Sequence, residues 1–131
     1  MSEVVGIGVD SVEIGRVVHA CERQHFVERI FTPGEIDQFD KTKRRAASDF
    51  AGKEAVVKVF GTGFAGIDAV EIEILRNEAG APYVKLYGKA KKKAKELQIG
   101  RILISITNTK ELATAFAVGV REESDEVFVH E

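Results

Sequence analysis

Glu54 and Lys58 stand one helical turn apart in the stretch Phe50-Ala-Gly-Lys-Glu-Ala-Val-Val-Lys-Val-Phe-Gly-Thr-Gly63. With Phe50 at zero and a helical advance of about 100° per residue, Glu54 falls at roughly 40° and Lys58 at roughly 80°, on one stripe. Most of the remaining circumference is apolar, the pattern of a buried helix. A charge taken out of water needs a partner. Either the acid and the base satisfy each other, or something charged sits in front of them. Gly61 is suited to end the helix. The Gly61-Thr62-Gly63 run that follows lets backbone approach a ligand closely. A further acid, Asp10, closes the run Val4-Val-Gly-Ile-Gly-Val-Asp10. Two readings stand for it: an N-cap, with Ser11, of the following helix, or a metal ligand.

The elements that must carry these residues follow from the pattern. Val4 to Asp10 predicts a first strand, with Val5, Ile7 and Val9 on one face. Val4, Gly6, Gly8 and Asp10 lie on the other, where the glycines leave room for a helix or a ligand. Val12 to Glu22 predicts a helix with Arg16 pointing away from its apolar face and His19 solvated. Gln24 to Phe31 continues as a short helical piece. Thr32-Pro-Gly-Glu35 has the form of a capping box with Pro33 at the first helical position, and Ile36 and Phe39 are expected to face inward. Lys41, Lys43, Arg44 and Arg45 form a basic joint, read as a solvated face or as a contact for phosphate or an acidic partner. Ala46 to Phe60 is the central helix. Ile67 to Leu75 and Ala81 to Tyr87 flank an Asn77-Glu-Ala-Gly80 turn and predict a hairpin, with Pro82 at an edge. Lys89 to Leu97 predicts a helix whose lysines form an exposed face. Arg101 to Thr107 is a strand with Ile102, Ile104 and Ile106 inward. Leu112 to Val120 is an apolar strand expected at the centre of a sheet. Residues 121–131 are acidic and read as a tail that trails off or packs on a neighbour. The order is α+β, a mostly antiparallel sheet on a long central helix, in a single domain spanning residues 1–131.

Composition bounds the function. The chain has 131 residues, 44% hydrophobic and 31% charged, as a globular protein does. A formal net charge of −2 gives no basic field for nucleic acid. The single cysteine, Cys21, excludes an intrachain disulfide. No apolar run reaches the roughly 20 residues that cross a membrane, and no secretion signal is visible. A cytoplasmic setting is expected.

Three separated pieces resemble one family. Gly6-Ile-Gly-Val-Asp-Ser-Val-Glu-Ile14 resembles an opening Gly-Ile-Gly-x-Asp-Ile strand and turn. Phe50 to Gly63 resembles the signature Ala-Ala-Lys-Glu-Ala-x-x-Lys-Ala-x-Gly-Thr-Gly. Ile104-Ser-Ile-Thr-Asn-Thr-Lys-Glu111 resembles the closing Val-Ser-x-Ser-His-x-x-Glu/Asp turn. The family is that of the holo-acyl-carrier-protein synthases, the short bacterial 4′-phosphopantetheinyl transferases. The resemblance implies Mg²⁺-dependent transfer of phosphopantetheine from coenzyme A to a serine of apo acyl carrier protein, by a homotrimer with its sites between subunits. It implies that Asp10 and Glu54 hold the metal and that Lys58 contacts the diphosphate. It further implies that Gly61, Thr62, Gly63, Ser105, Asn108 and Thr109 lie against coenzyme A, and that Arg16, with Arg29 as a weaker candidate, meets the carrier protein. Glu54 or a metal-bound water is the candidate general base. Three positions depart from the family pattern. Asn108 stands for the usual histidine, Asp49 for an arginine, and Gly52 for an alanine. Asn108 and Asp49 are expected on the nucleotide side, bearing on coenzyme A affinity more than on metal binding. They motivate a second reading, a relative that binds carrier protein or nucleotide without turnover.

Overall fold

The computed structural model describes residues 3–121; the predicted tail lies outside them, apart from Arg121. The elements run β1 (Glu3–Glu13), α1 (Ile14–Ala20), α2 (Gln24–Ile30), α3 (Pro33–Asp37), α4 (Arg44–Phe60), a 3-10 turn (Ala69–Glu71), β2 (Ile72–Arg76), β3 (Pro82–Leu86), α5 (Gly88–Glu96), β4 (Arg101–Asn108) and β5 (Leu112–Arg121). β5 lies between β1 and β4, both antiparallel to it, and β2 pairs with β3 as a separate hairpin. The central place expected of the Leu112–Val120 strand is therefore observed.

The sheet is built so that α4 can lie on it closely. The face of β5 toward the helix is Ala113, Ala115 and Ala117, all fully buried. On β1 the same face is Gly6, Gly8 and Asp10. A Cβ at Gly8 would drive into the carbonyl oxygen of Ala55, and one at Gly6 into that of Val59. The glycines therefore let helix backbone touch strand backbone, and Asp10, two residues on, is carried to the same helix. No other described element covers the opposite face of the sheet. Ile7, Val9, Leu103 and Phe116 are all more than two-fifths exposed. The strand register aligns Val9 with Phe116 and Ser105, and Ile7 with Val118 and Leu103.

Several expectations need correction. Asp10 and Ser11 do not cap α1. β1 runs on to Glu13 because β5 continues to offer partners, and the Ser11 and Thr114 hydroxyls hydrogen-bond at 2.6 Å. Glu13 occupies the cap position without a side-chain bond. The capping box at Thr32 and Glu35 forms as expected. Ile36, however, is 38% exposed. In a helix of five residues Glu35 takes the inward position, where its Oε2 accepts the Ile74 N–H at 2.7 Å. β2 begins only at Ile72, because Ala69–Glu71 winds into a 3-10 turn. α4 closes at Gly61, whose φ of 78° suits glycine in the left-handed region.

Candidate active site

The close approach of β1 to α4 unites three of the residues singled out by spacing. Lys58 Nζ donates to Asp10 Oδ1 at 3.2 Å and to the Val9 carbonyl at 2.9 Å. Glu54, one turn before Lys58, is half-buried and makes no ion pair or hydrogen bond with another described residue. Burial raises its carboxyl pKa, Asp10's negative charge raises it further, and Lys58 pulls the other way. Asp10 and Lys58, themselves paired, thus both act on the Glu54 carboxylate electrostatically. Glu54 opens into a cavity of about 580 Å³ walled by Phe50, Phe64, Ile67, Ala69 and Val70. Arg29 also lines it, whereas Arg16 is 85% exposed in a separate groove and reaches Glu13 at 3.6 Å. The Gly61-Thr62-Gly63 loop is exposed beyond the end of α4, with Gly63 also left-handed.

The other named residues are elsewhere. Ser105 is exposed on the uncovered sheet face beside Phe116. Asn108 donates to the Ser48 hydroxyl at 2.8 Å, and Thr109 shapes the β4–β5 turn by accepting from the Leu112 N–H at 3.0 Å. Asn108 and Ser48 line a cavity of about 420 Å³ with Arg44, Arg45 and Arg76. These arginines are partly engaged. Arg44 donates to the Thr109 and Lys110 carbonyls, Arg45 to that of Gln38, and Arg76 to Asp49. A guanidinium carries five N–H donors, so each keeps others for an anion. Arg44 and Arg45 are half-buried and belong to this cavity rather than to a freely solvated face. Arg76 was not signalled by the sequence, since its partner lies 27 residues away across the core.

Asp49 is the clearest correction. It is 1% exposed and paired with Arg76 Nη1 at 2.8 Å, so it is not a free charge set against phosphate. Burial outweighs the arginine and pushes its carboxyl up to about 7. Gly52 also has a packing reason: the ends of Ile74 and Ile104 lie 3.2 Å from where its Cβ would stand.

Lys53 was missed altogether. Its phase lies within about 40° of Ala46, Val57 and Phe60, the buried side of the helix, and that is the signal that was available. It is fully buried and pairs with Glu35 Oε1 at 2.9 Å.

Among the described residues no cluster of three or more His, Cys, Asp or Glu could hold a metal ion. A pair of carboxylates remains, and this suits Mg²⁺, which is commonly bound by one or two carboxylates with waters and substrate phosphates completing its shell. The mutual repulsion that raises Glu54 is what a divalent cation would relieve. Among the described residues no helix is long and apolar enough to cross a membrane.

Residues 6–117 match the 4′-phosphopantetheinyl transferase superfamily. A holo-[acyl-carrier-protein] synthase of Lachnoclostridium phytofermentans is 54% identical over 116 residues, 88% of this chain and 95% of that protein. Among solved structures, an acyl carrier protein synthase of Plasmodium yoelii with ADP bound gives a TM-score of 0.83 at 33% identity, covering 94% of this chain and 99% of that one. A Helicobacter pylori holo-[acyl-carrier-protein] synthase in complex with coenzyme A gives 0.73 at 30% identity, covering 86% and 98%.

Proposed function

The chain belongs to the 4′-phosphopantetheinyl transferase superfamily and is a holo-[acyl-carrier-protein] synthase by kinship; from that premise we propose that it moves 4′-phosphopantetheine from coenzyme A to apo acyl carrier protein with Asp10, Glu54 and Lys58 as its working residues. The observation that carries this assignment of roles is the convergence of those three side chains across the glycine contact between β1 and α4.

In the reaction a serine oxygen of the carrier protein attacks the phosphorus that bears the pantetheine arm. That P–O bond forms as the bond to the leaving adenosine 3′,5′-bisphosphate breaks, and the serine proton is lost. Asp10 and Glu54 would hold Mg²⁺, which supplies charge neutralisation at the diphosphate. Lys58, within reach of Asp10, would bind the departing phosphate oxygen. The serine proton would pass to Glu54 or to a water beside it. Arg29 on the rim is suited to an acidic partner, as is Arg16 from its separate groove.

Coenzyme A has a polyanionic nucleotide end and an uncharged arm. The arginine cavity suits the first and the Glu54 cavity the second. Arg45 and Glu54 are nine residues apart, about half a turn out of phase on α4. One bound molecule reaches both kinds of cavity when a second copy brings its arginines beside the first copy's carboxylates. The uncovered apolar sheet face is available for such a contact, and patches of this sort commonly mark interfaces. A homotrimer with shared sites is the reading this supports.

Intact-protein mass spectrometry of apo carrier protein, coenzyme A and Mg²⁺ tests the proposal. The expected gain is one phosphopantetheine, lost on adding EDTA. A gain unaffected by EDTA would remove the metal role; no gain together with intact coenzyme A binding by several carrier proteins' worth of trials would favour the non-catalytic reading.

A further inference from the structure

Lys53 is an unusual residue for the interior of a small protein. A lysine ammonium has three N–H donors and no acceptor. All three are used: one on Glu35 Oε1 at 2.9 Å, one on the Ala69 carbonyl at 2.9 Å and one on the Ile72 carbonyl. Phe31 presents its ring 5.8 Å away. Glu35 is equally complete, since it also accepts from the Thr32 and Ile74 N–H groups. Four elements therefore meet at one charge pair: α3, α4, the 3-10 turn and β2.

Such a pair is a poor means of adding stability. Removing two charges from water costs about as much as their attraction returns, and an apolar pair of similar volume often does as well. Burial lowers the pKa of Lys53 and raises that of Glu35, each toward its neutral form, in spite of the partner. What an ammonium does that a leucine does not is hold two carbonyl oxygens at set positions. Those carbonyls bound the 3-10 turn, and Ala69 and Val70 of that turn form one wall of the cavity into which Glu54 opens. Lys53 and Glu54 are neighbours on α4, so the clamp and the carboxylate share one rigid support.

We propose that Lys53 is a positioning residue: it fixes the Ala69–Val70 wall against α4 and so sets how tightly the uncharged arm of coenzyme A is held beside Glu54. The inference rests on the reading of that cavity as the place of the arm. It assigns Lys53 no contact with substrate.

The test is the charge-free double variant Lys53→Met/Glu35→Gln, which removes the clamp without stranding either charge. Steady-state transfer is measured against coenzyme A concentration, and the binding of adenosine 3′,5′-bisphosphate, which has no arm, is measured by calorimetry. The expected result is a KM for coenzyme A raised about tenfold, kcat within about threefold of the parent, and bisphosphate affinity unchanged within about twofold. An unchanged KM would overturn the proposal. So would an equal weakening of both ligands, because that is what general loosening produces. If the double variant does not fold, Val70→Ala loosens the same wall with the pair intact. It is expected to raise the coenzyme A KM by a few fold, again with bisphosphate affinity unchanged, and an unaltered KM there counts against the wall. Glu54→Gln is run alongside. If that variant retains metal-dependent transfer, the site reading fails and takes this inference with it. If it is inactive while the Lys53 variants keep the parent KM, only the inference fails.

Discussion

Lys53 and Glu54 are consecutive residues on α4 with opposite circumstances. Lys53 is sealed in the core with every donor used. Glu54 is half-buried, feels the negative charge of a second carboxylate, and makes no ion pair or hydrogen bond with another described residue. A charge the protein satisfies completely holds elements together. A charge it leaves partly desolvated and unpaired is held ready for something that arrives from outside. Asp10 is intermediate, with Lys58 as a partner on its exposed side.

The sharpest way to break this comparison is to remove each charge singly. Glu54→Gln is expected to lower phosphopantetheine transfer by about a thousandfold or more, since a lost metal ligand forfeits several kcal/mol of transition-state stabilisation. Its thermal midpoint should hold or rise slightly, because a carboxylate with a raised pKa is a strained one. Lys53→Met alone is expected to do the reverse. It strands the buried Glu35 carboxylate, which costs about 3–5 kcal/mol in urea unfolding. Loss of stability in the first variant and none in the second would undo the distinction between the two residues.

Asp49 and Arg76 extend the comparison to a pair that is buried but incompletely satisfied, as Asp49 Oδ2 has no hydrogen-bond partner. An unfolded aspartate ionises near 3.8, whereas folded Asp49 keeps its proton to about 7. Between those values the folded chain binds more protons than the unfolded one. Stability contributed by Asp49 is therefore complete below about pH 3.8 and is lost as pH rises through about 7. The slope for one proton is at most about 1.4 kcal/mol per pH unit. Asp49→Asn should flatten that part of the stability profile between pH 4 and 7, as read from urea midpoints. A parallel profile would mean that the Arg76 pairing already holds Asp49 ionised.

Much of this arrangement was legible in the chain because it depends on local rules. The capping box at Thr32 and Glu35, the hairpin at Asn77 to Gly80, the glycine face of β1 and the Glu54–Lys58 stripe each follow from residue type and period. The misreadings involve partners distant in sequence. Ser11 reads as a cap until β5 supplies Thr114, 103 positions away. Asp49 reads as a loose anion until β2 supplies Arg76. Val70 reads as strand until Lys53 binds the carbonyls on either side of it. Periodicity reports that a position is buried; it does not report which charge waits there.

The smallest expected effect tests the electrostatics of the candidate site itself. Glu54 owes its raised pKa first to burial, then to Asp10, with Lys58 opposing. Asp10→Asn removes the second cause and should lower the Glu54 titration midpoint, though not to its ordinary value, because burial remains. Lys58→Met removes the opposing cation and should raise it. Carboxyl chemical shifts followed by NMR through acid titration, without added metal, give both midpoints. The two shifts must have opposite signs if the three side chains act on one another as their positions require. The consequence for ligand follows from the same signs. As pH falls toward the Glu54 midpoint, a proton competes with a cation for the same oxygens, so Mg²⁺ affinity should weaken at a higher pH than an ordinary glutamate would allow. In Asp10→Asn that weakening should begin at lower pH, even though the absolute affinity is reduced by the lost carboxylate. Equal pH dependence in parent and variant would place the competing proton somewhere other than Glu54.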